Sequence, residues 1–260
     1  MHIFTLLRRM KNKMKAYLTL LKTELKMSLR GMDMLIFAFG MPIVAMFILG
    51  AIFGNKPAFD GASYTFFEQS FGALCSISIC AGGVMGIPLI ISDYRAKKIL
   101  KRYHVMPVSP VMIFTVIISM YVIYAIASLV SLLALAKVFY GFTMKGSLLA
   151  FLGGYLLVMV SIFSIGMMVG GVAKNSQIAG VIASILYFPM LIFSGATIPY
   201  EVMPEKLQYI TNIMPLTQGI KVLKCAVTGQ PLENMAVSVI ILVLIAAICS
   251  IMGVKCFKWE

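Results

Sequence analysis

The amino-acid sequence predicts an all-α integral membrane protein. The prediction comprises six transmembrane helices, an N-terminal amphipathic interfacial helix, and re-entrant outer helices before the last span. Of the 260 residues, 61% are apolar and only 12% are charged, and the mean hydropathy is +0.98. Soluble domains are usually about 45–50% apolar and about 25% charged, and disordered chains lack apolar residues. The composition therefore excludes both of these classes.

The first predicted element is a basic helix in the membrane interface. Between Lys15 and Arg30, apolar side chains recur at helical spacing and the basic side chains lie mainly on other faces. Such a helix can rest on the bilayer while its lysines and arginines reach the lipid headgroups. An extended basic leader is the alternative. We assign residues 1–33 to this cytoplasmic leader and residues 34–260 to one transmembrane domain.

Six apolar stretches are long enough to cross the membrane, because about 20 helical residues span a hydrocarbon core about 30 Å thick. These stretches contain no Asp, Glu, Lys, Arg or His. The predicted spans are 34–53, 71–91, 111–135, 148–172, 180–198 and 235–254.

The lysines and arginines set the predicted orientation. With six spans, sixteen of them fall on the side of the N-terminus and six on the other side. The positive-inside rule then places both termini in the cytoplasm. The net charge of +13 would also be consistent with nucleic acid as a partner, because basic surfaces attract phosphate. Apolar runs fill the chain, however, so anionic membrane lipid is the partner that this charge favours.

Two loops have a character of their own. The segment 92–110 is predicted to be a short basic cytoplasmic helix that Pro107 ends, and it would either anchor on lipid or dock on a soluble partner. The stretch 199–234 carries four prolines and two short amphipathic pieces, which indicates two short helices with a kink near Pro215. Since the apolar faces of these pieces must be buried, we expect this loop to dip back into the membrane. The apolar positions are Leu207, Ile210 and Met214 in the first piece, and Ile220, Leu223 and Val227 in the second.

Glycine pairs spaced four apart mark candidate helix contacts, since small residues let helix backbones approach closely. They lie at 50 and 54, 82 and 86, and 166 and 170. The sequence leaves open whether these glycines pack against helices of the same chain or form a contact between two copies.

Motifs for enzymatic chemistry are absent from the sequence. It contains no P-loop, no H-E-x-x-H and no G-x-S-x-G motif, and its five cysteines form no C-x-x-C pair. We therefore predict no catalytic residue, no metal site and no cofactor bound by this chain. Proton-coupled carriers usually keep ionisable groups inside their spans, and none is predicted here. Sodium coupling through backbone carbonyls stays open.

Two motifs resemble the type-2 ABC exporter permeases, the membrane subunits of bacterial drug, antimicrobial-peptide and polysaccharide exporters. Residues 99–109, I-L-K-R-Y-H-V-M-P-V-S, are similar to the family's G-T-L-K-R-L-x-x-T-P-V-S loop. Residues 193–199, F-S-G-A-T-I-P, followed by M-P at 203–204 and M-P-L-T at 214–217, are similar to its F-x-S-G-x-x-x-P motif and the M-P and P-L-T that follow it. One departure is Lys98, which stands where the family usually has Gly.

The resemblance implies a membrane subunit that works with a cytoplasmic ABC ATPase, which would bind ATP and Mg²⁺. It also implies a second permease, either the same chain or a sister, in the bacterial cytoplasmic membrane. The implied ATPase-docking residues are Arg95, Lys98, Ile99, Leu100, Lys101, Arg102, Tyr103 and Pro107. The implied outer-gate residues are Ser194, Gly195, Pro199, Pro204, Pro215, Leu216 and Thr217.

The substrate favoured at this stage is an amphiphilic drug, an antimicrobial peptide or a lipid-like compound moved outward. An exporter of lipid-linked polysaccharide and an ion-coupled secondary transporter are the alternatives. Aromatic and methionine side chains in the spans would either line a substrate seam or pack the helices together. They include Phe71, Met120, Tyr121, Tyr124, Tyr155, Tyr187, Phe188 and Met190.

Overall fold

The structure is a computed structural model, and it describes residues 2–31, 36–54, 56–58, 64–99, 110–196, 203–230 and 235–255, with the side chains of α1 from Lys13 onward. Helix α1 spans His2–Gly31. The first span is π-helical over Ile36–Gly40 and continues as α2, Met41–Phe53. The second span is α3, Phe66–Cys80, then a π-helical segment, Ala81–Gly86, then α4, Ile87–Ala96. The remaining helices are α5, Pro110–Tyr140; α6, Leu148–Val172; α7, Ser176–Phe193; α8, Glu205–Thr211; α9, Pro215–Thr228; and α10, Met235–Lys255.

The prediction of an all-α membrane protein is confirmed. Six helices in the described part of the chain are long and apolar enough to cross a membrane. The N-terminal segment is a helix and not an extended leader, and it is longer than the predicted 16 residues because it runs from His2 to Gly31. The two short helices predicted before the last span are present, with Pro215 at the start of the second.

The second span begins at Phe66, five residues before the predicted start, because a capping box opens the helix. The Thr65 hydroxyl accepts a hydrogen bond from the Glu68 backbone N–H at 3.1 Å, and Glu68 Oε2 accepts one from the Thr65 N–H at 2.8 Å. Glu68 is buried and pairs with Lys145, Nζ to Oε2, at 3.0 Å. The helix therefore carries an acidic residue that the predicted span excluded.

The predicted bounds of two other spans are wrong as well. Helix α5 continues five residues past 135 to Tyr140. The fifth span begins at Ser176, four residues early, because Asn175 Oδ1 caps it by accepting the Ile178 N–H at 2.8 Å. That helix ends at Phe193, before the predicted 198, and Gly195 just beyond it has a φ of +92°. A left-handed residue cannot continue a right-handed helix.

The second and fourth spans run parallel and in contact along their whole length. Near one end, the Phe71 and Phe151 ring centroids lie 6.1 Å apart. At the centre, a Cβ placed on Gly166 would overlap the Gly83 carbonyl oxygen, so only glycine allows this approach. Of the predicted glycine pairs, the one at 166 and 170 therefore packs within the chain.

Prolines follow both π-helical segments, and a side chain from another span stabilises the first of them. Pro42 has no N–H to donate to the Ala38 carbonyl, four residues earlier. Instead, the Ser128 hydroxyl of α5 donates to this carbonyl at 2.8 Å. Spans tolerate proline when neighbouring helices supply such hydrogen bonds. Pro88 likewise follows the π-helical segment of the second span.

Substitution of Gly166 by Ala should separate the second and fourth spans. We expect a loss of about 1–3 kcal/mol, the usual cost of overpacking a close contact. Gly153→Ala is the matched control on the same helix, because nothing lies within 4 Å of a Cβ at that position. Thermal unfolding in detergent tests this prediction. Equal midpoints for the two variants would show that the close approach does not hold the fold together.

Candidate functional site: the coupling end and the re-entrant hairpin

The coupling end is the segment Asp93–Ile99, where the second span ends. Helix α4 finishes at Ala96, and Lys97 pairs with Asp93, Nζ to Oδ2, at 2.8 Å. Lys97 and Lys98 are exposed, while Ile99 is half-buried against the core. Of the predicted docking residues, only Arg95, Lys98 and Ile99 are described. Leu100, Lys101, Arg102, Tyr103 and Pro107 lie outside the described residues.

Lys98 adopts a left-handed conformation with a φ of 55°. It follows the last turn of α4, and its N–H donates to the Arg95 carbonyl at 2.9 Å. Glycine takes this conformation without steric cost, whereas a residue with a Cβ does not. The structure thus gives a physical reason for the glycine that the resembled motif has at this position.

Arg95 ties the coupling end to the fourth span. Its guanidinium donates from Nη1 to the Ala173 carbonyl at 2.6 Å and from Nη2 to the Gly171 carbonyl at 3.4 Å. These carbonyls lie at the C-terminus of α6, where the helix dipole favours a cation. Both of these hydrogen bonds of Arg95, a predicted docking residue, are to carbonyls of its own chain.

The N-terminal helix is fixed to the same place by a buried acid. Tyr94 donates to Glu24 Oε1 at 2.5 Å, and both side chains are buried. Helix α1 also meets the third span, where the Tyr17 hydroxyl donates to Ser119 Oγ at 2.6 Å. The exposed residues on α1 include the basic side chains that the interfacial prediction placed outward, namely Lys15, Lys22, Lys26 and Arg30. The sequence interpretation missed Glu24, although it is the only acidic residue between 1 and 32.

The predicted gate residues lie on both sides of a gap in the described chain. Ser194 is fully buried, and its Oγ accepts the Ala196 N–H at 3.3 Å. Gly195 takes the left-handed conformation that turns the chain away from α7. Pro204 precedes α8 and is exposed. Pro199 lies outside the described residues.

Helices α8 and α9 form the re-entrant hairpin, and α9 packs deep among the spans. The C-terminal end of α9 is shallow, because it contacts the loop just before the fourth span, where a Cβ on Gly146 would overlap the Ala226 carbonyl oxygen. The N-terminal part of α9 lies deeper, because a Cβ on Gly219 would lie 2.7 Å from Val158 Cγ2 within the fourth span. Val158 is ten residues into α6, about 15 Å at 1.5 Å per residue, which is about half of a 30 Å core.

The apolar face predicted for α9 is correct: Ile220, Leu223 and Val227 are all buried. The face predicted for α8 is less buried: Ile210 is 57% exposed, so this helix does not bury the whole of its apolar stripe within one chain.

A partly buried polar network holds the bend between the two hairpin helices. Gln218 donates from Nε2 to the Asn212 carbonyl and accepts at Oε1 a hydrogen bond of 2.7 Å from Ser238 of the last span. Lys221 donates to Asn212 Oδ1. Leu216 and Thr217, both predicted gate residues, are buried beside this network. Gln218 was not predicted; a glutamine directly after the P-L-T motif was the available signal.

Comparison with known proteins identifies the class to which this fold belongs. The ABC-2 type transporter family matches residues 15–228, which include the coupling end and the re-entrant hairpin. The chain belongs to this family. Its members are membrane subunits of ABC transporters, in which a separate subunit supplies the ATPase activity.

Two curated relatives are similar over parts of the chain. The inner membrane transport permease YhhJ of Escherichia coli K12 is 31% identical over 117 residues, which are 45% of this chain and 31% of that protein. Nodulation protein J of Rhizobium meliloti is 29% identical over 99 residues, 38% of each chain. The matched segments thus span about a third of each relative.

Lys98→Gly should stabilise the protein by about 1 kcal/mol, because glycine removes the left-handed strain. Lys97→Gly is the matched control. Lys97 has a φ of −79° and an ion pair with Asp93, so its replacement should be neutral or destabilising. Thermal unfolding of both variants in detergent measures the difference. A lower midpoint for Lys98→Gly than for the parent protein would contradict this account of the turn.

Proposed function

We propose that this chain is the permease subunit of an ATP-driven exporter in a bacterial cytoplasmic membrane. The observation that carries the proposal is the family match over residues 15–228, which includes both the coupling end and the re-entrant hairpin. The proposed substrate is an amphiphilic drug, an antimicrobial peptide or a lipid-like compound. Lipid-linked polysaccharide is the second candidate. The names of the relatives specify no substrate.

The proposed orientation has both termini in the cytoplasm. With one crossing for each of the six long apolar helices, the N-terminal helix and the coupling end lie on one side and the shallow end of α9 on the other. The first side carries sixteen of the 22 lysines and arginines, which supports the cytoplasmic assignment. The relative from Escherichia coli is named as an inner membrane protein, in keeping with this membrane.

The proposed docking surface for the ATPase consists of the coupling end, the segment 100–107 and the adjoining part of α1. Lys97 and Lys98 are exposed there, and four further cationic or aromatic residues follow at 101–104. A cationic surface of this kind suits an acidic groove on the partner. ATP and Mg²⁺ would bind the partner subunit. The hydrogen bond between Tyr94 and Glu24 joins α1 to the coupling end, so a push on one displaces the other.

We propose that movement of the coupling end is transmitted across the membrane by the paired second and fourth spans. Arg95 bonds the end of the second span to the end of α6, and the contact between Gly83 and Gly166 fixes their centres. Near the other end, a Cβ on Gly72 would lie 2.8 Å from Leu223 Cβ of α9. Movement of the coupling end is thereby transmitted to the re-entrant hairpin. Export further requires that the ATP-bound state bind substrate differently from the resting state.

The proposed working unit contains two permeases and two ATPases, with the second permease being either the same chain or a sister. Helix α8 leaves Tyr209 77% exposed, and the bend after it leaves Ile213 72% exposed. Apolar residues so exposed contact either lipid or another subunit. These side chains lie beside the proposed gate, so a second permease here would close the pathway from the opposite side.

The docking proposal predicts that Leu100→Ala, Lys101→Ala and Tyr103→Ala together abolish ATPase binding but leave membrane insertion intact. The matched control removes a lysine, an aromatic residue and a leucine at exposed sites away from the coupling end and the hairpin, with Lys137→Ala, Phe139→Ala and Leu149→Ala. The measurement is affinity purification in mild detergent with a readout of co-purifying protein and ATP hydrolysis. A stoichiometric ATPase with the parent and control proteins supports the proposal. A parent chain that purifies alone, without hydrolysis, would favour the ion-coupled carrier.

Gly195→Leu should impair transport without preventing assembly. Its φ of +92° is a conformation that side chains with a Cβ rarely adopt, so leucine would displace the end of α7 and the buried Ser194 beside it. Gly153→Leu is the control, at a position with open space. Substrate efflux from vesicles is compared with the yield of the purified complex. Full transport by Gly195→Leu would show that this turn is not part of the gate.

A further inference from the structure

Helix α1 meets the rest of the chain along one face and carries a line of cations on the other. Tyr17 and Glu24 make hydrogen bonds to the third and second spans, and Leu21 packs against the core between them. Their spacing of four and three residues is that of one helix face. The basic stripe is the set of exposed cationic side chains on the opposite face of α1. Its members are Lys15, Lys22, Lys26 and Arg30.

The basic stripe has no counter-charge among the described residues. The ion pairs there lie at the coupling end and at the start of the second span, and neither involves α1. Glu24, the only acidic residue between 1 and 32, lies on the packed face, where it accepts the Tyr94 hydroxyl. The segment 94–110, part of which is outside the described residues, contains no acidic residue in its sequence. The charge of the stripe therefore favours an anionic partner from outside the chain.

The contacts of α1 set its depth in the membrane. Phe67 and Tyr140 stack with ring centroids 4.6 Å apart, so they mark one level at the far side of the second and third spans. Ser119, which α1 contacts on the third span, lies 21 residues from Tyr140, about 31 Å along the helix. Tyr94, its contact on the second span, lies 27 residues from Phe67, about 40 Å. Since the hydrocarbon core is about 30 Å thick and the bilayer with its headgroups about 40–45 Å, α1 lies at headgroup level.

The two flanks of the basic stripe differ in polarity. One flank carries Leu18, which is 55% exposed, and Leu29, which is 48% exposed and about three turns further along. The other flank carries the exposed Thr19 and Thr23, followed by Met27. An interfacial helix turns its apolar side chains toward the acyl chains and its polar ones toward water, with lysines at the headgroups between them. This order favours a lipid surface over an acidic groove on a soluble protein, which would leave the leucines in water.

We propose that the basic stripe binds anionic phospholipid headgroups of the leaflet beside the coupling end, and that this lipid steadies the coupling end through the hydrogen bond between Glu24 and Tyr94. Lysines close to an anionic membrane surface are attracted to it. A lipid that holds α1 at the surface also holds Glu24 in place, and its partner Tyr94 belongs to the coupling end. The proposal goes beyond the proposed function, because both steps concern the isolated chain.

Quenching of a single tryptophan by brominated lipid measures the binding. Trp259, the only tryptophan, is replaced by Phe, and Leu18→Trp places a reporter beside the stripe. The purified full-length chain is reconstituted in vesicles of equal parts phosphatidylglycerol and phosphatidylcholine, with only one of the two lipids brominated. We expect phosphatidylglycerol to be enriched about threefold or more beside the reporter. Raising the salt from about 0.1 M to about 1 M shortens the screening length from about 10 Å to about 3 Å and should reduce this enrichment.

Two charge variants and a second reporter complete the quenching experiment. Lys15→Gln, Lys22→Gln and Lys26→Gln together should make quenching by the two lipids equal. A reporter at Leu156 in the fourth span, 53% exposed, should detect both lipids equally in the parent chain. The matched control makes the same change at exposed lysines assigned to the other side of the membrane and should keep the enrichment; these are Lys56, Lys137 and Lys206. Equal quenching at residue 18 of the parent, or enrichment that survives the loss of the stripe lysines, would overturn the proposal.

Hydrogen–deuterium exchange of the coupling end tests the second step. Its backbone amides should exchange about threefold or more slowly in vesicles that contain phosphatidylglycerol than in phosphatidylcholine alone, the effect of one hydrogen bond. Tyr94→Phe removes the hydrogen bond to Glu24, so it should abolish this difference and leave the lipid enrichment unchanged. Tyr155→Phe is the control, because the Tyr155 hydroxyl donates to the Ala125 carbonyl at 2.8 Å, away from α1. Exchange that is independent of the lipid, or a difference that persists in Tyr94→Phe, would overturn this step.

Co-purification separates lipid from the other anionic candidate, an acidic surface of the ATPase. The variant without the three stripe lysines should lose the lipid enrichment and keep the ATPase bound. Loss of the ATPase with the enrichment intact would assign the stripe to the ATPase and overturn the proposal. A parent chain that binds no ATPase would contradict the proposed function but leave the quenching and exchange results unaffected, so the two proposals fail separately.

Discussion

The arrangement of this membrane domain depends on one backbone contact, the approach of the second span to the fourth at Gly83 and Gly166. In a bilayer, lipid tails are as apolar as leucine, so burial of apolar side chains does not drive spans together as it does in water. Close packing of backbones supplies the attraction instead. The parallel pair then forms a surface against which α9 packs through Gly154, and last-span Gly253 approaches Gly171 of α6. The re-entrant hairpin is held in place by this pair.

Hydrogen bonds between helices complete the packing. Buried hydroxyls donate to main-chain carbonyls of other spans: Tyr155 to Ala125, and Ser161 to Leu242. The Ser238 hydroxyl of the last span donates to the side-chain Oε1 of Gln218 and links this span to the hairpin bend. Polar groups in hydrocarbon are costly without partners. These bonds therefore define which helices are neighbours.

Much of this fold was predictable because apolar length is a strong signal in membranes, and the short helices around Pro215 were predictable from proline positions. Other features depend on residues far apart in sequence. The partner of Glu24 is Tyr94, seventy residues away, and no local pattern indicates it. The capping box at Thr65 and Glu68 matches the pattern T-x-x-E in the sequence. The predicted span nevertheless began only at residue 71, because the spans were defined as apolar stretches without acidic residues. The π-helical segments were not predicted, since local periodicity does not distinguish a wide turn next to Pro42 or Pro88 from an ordinary helix.

The short fifth span makes the protein sensitive to bilayer thickness. Helix α7 has 18 residues, about 27 Å, whereas the second span has 31 residues, about 46 Å. The polar cap at Asn175 and the exposed Lys174 lie at one end of α7, where polar groups favour the headgroup region, and the turn at Gly195 ends the helix at the other. Tilting α7 would draw one of these ends into hydrocarbon, so the surrounding lipid must thin when it tilts. Hydrophobic mismatch at α7 would thus couple membrane composition to the conformations of the proposed gate.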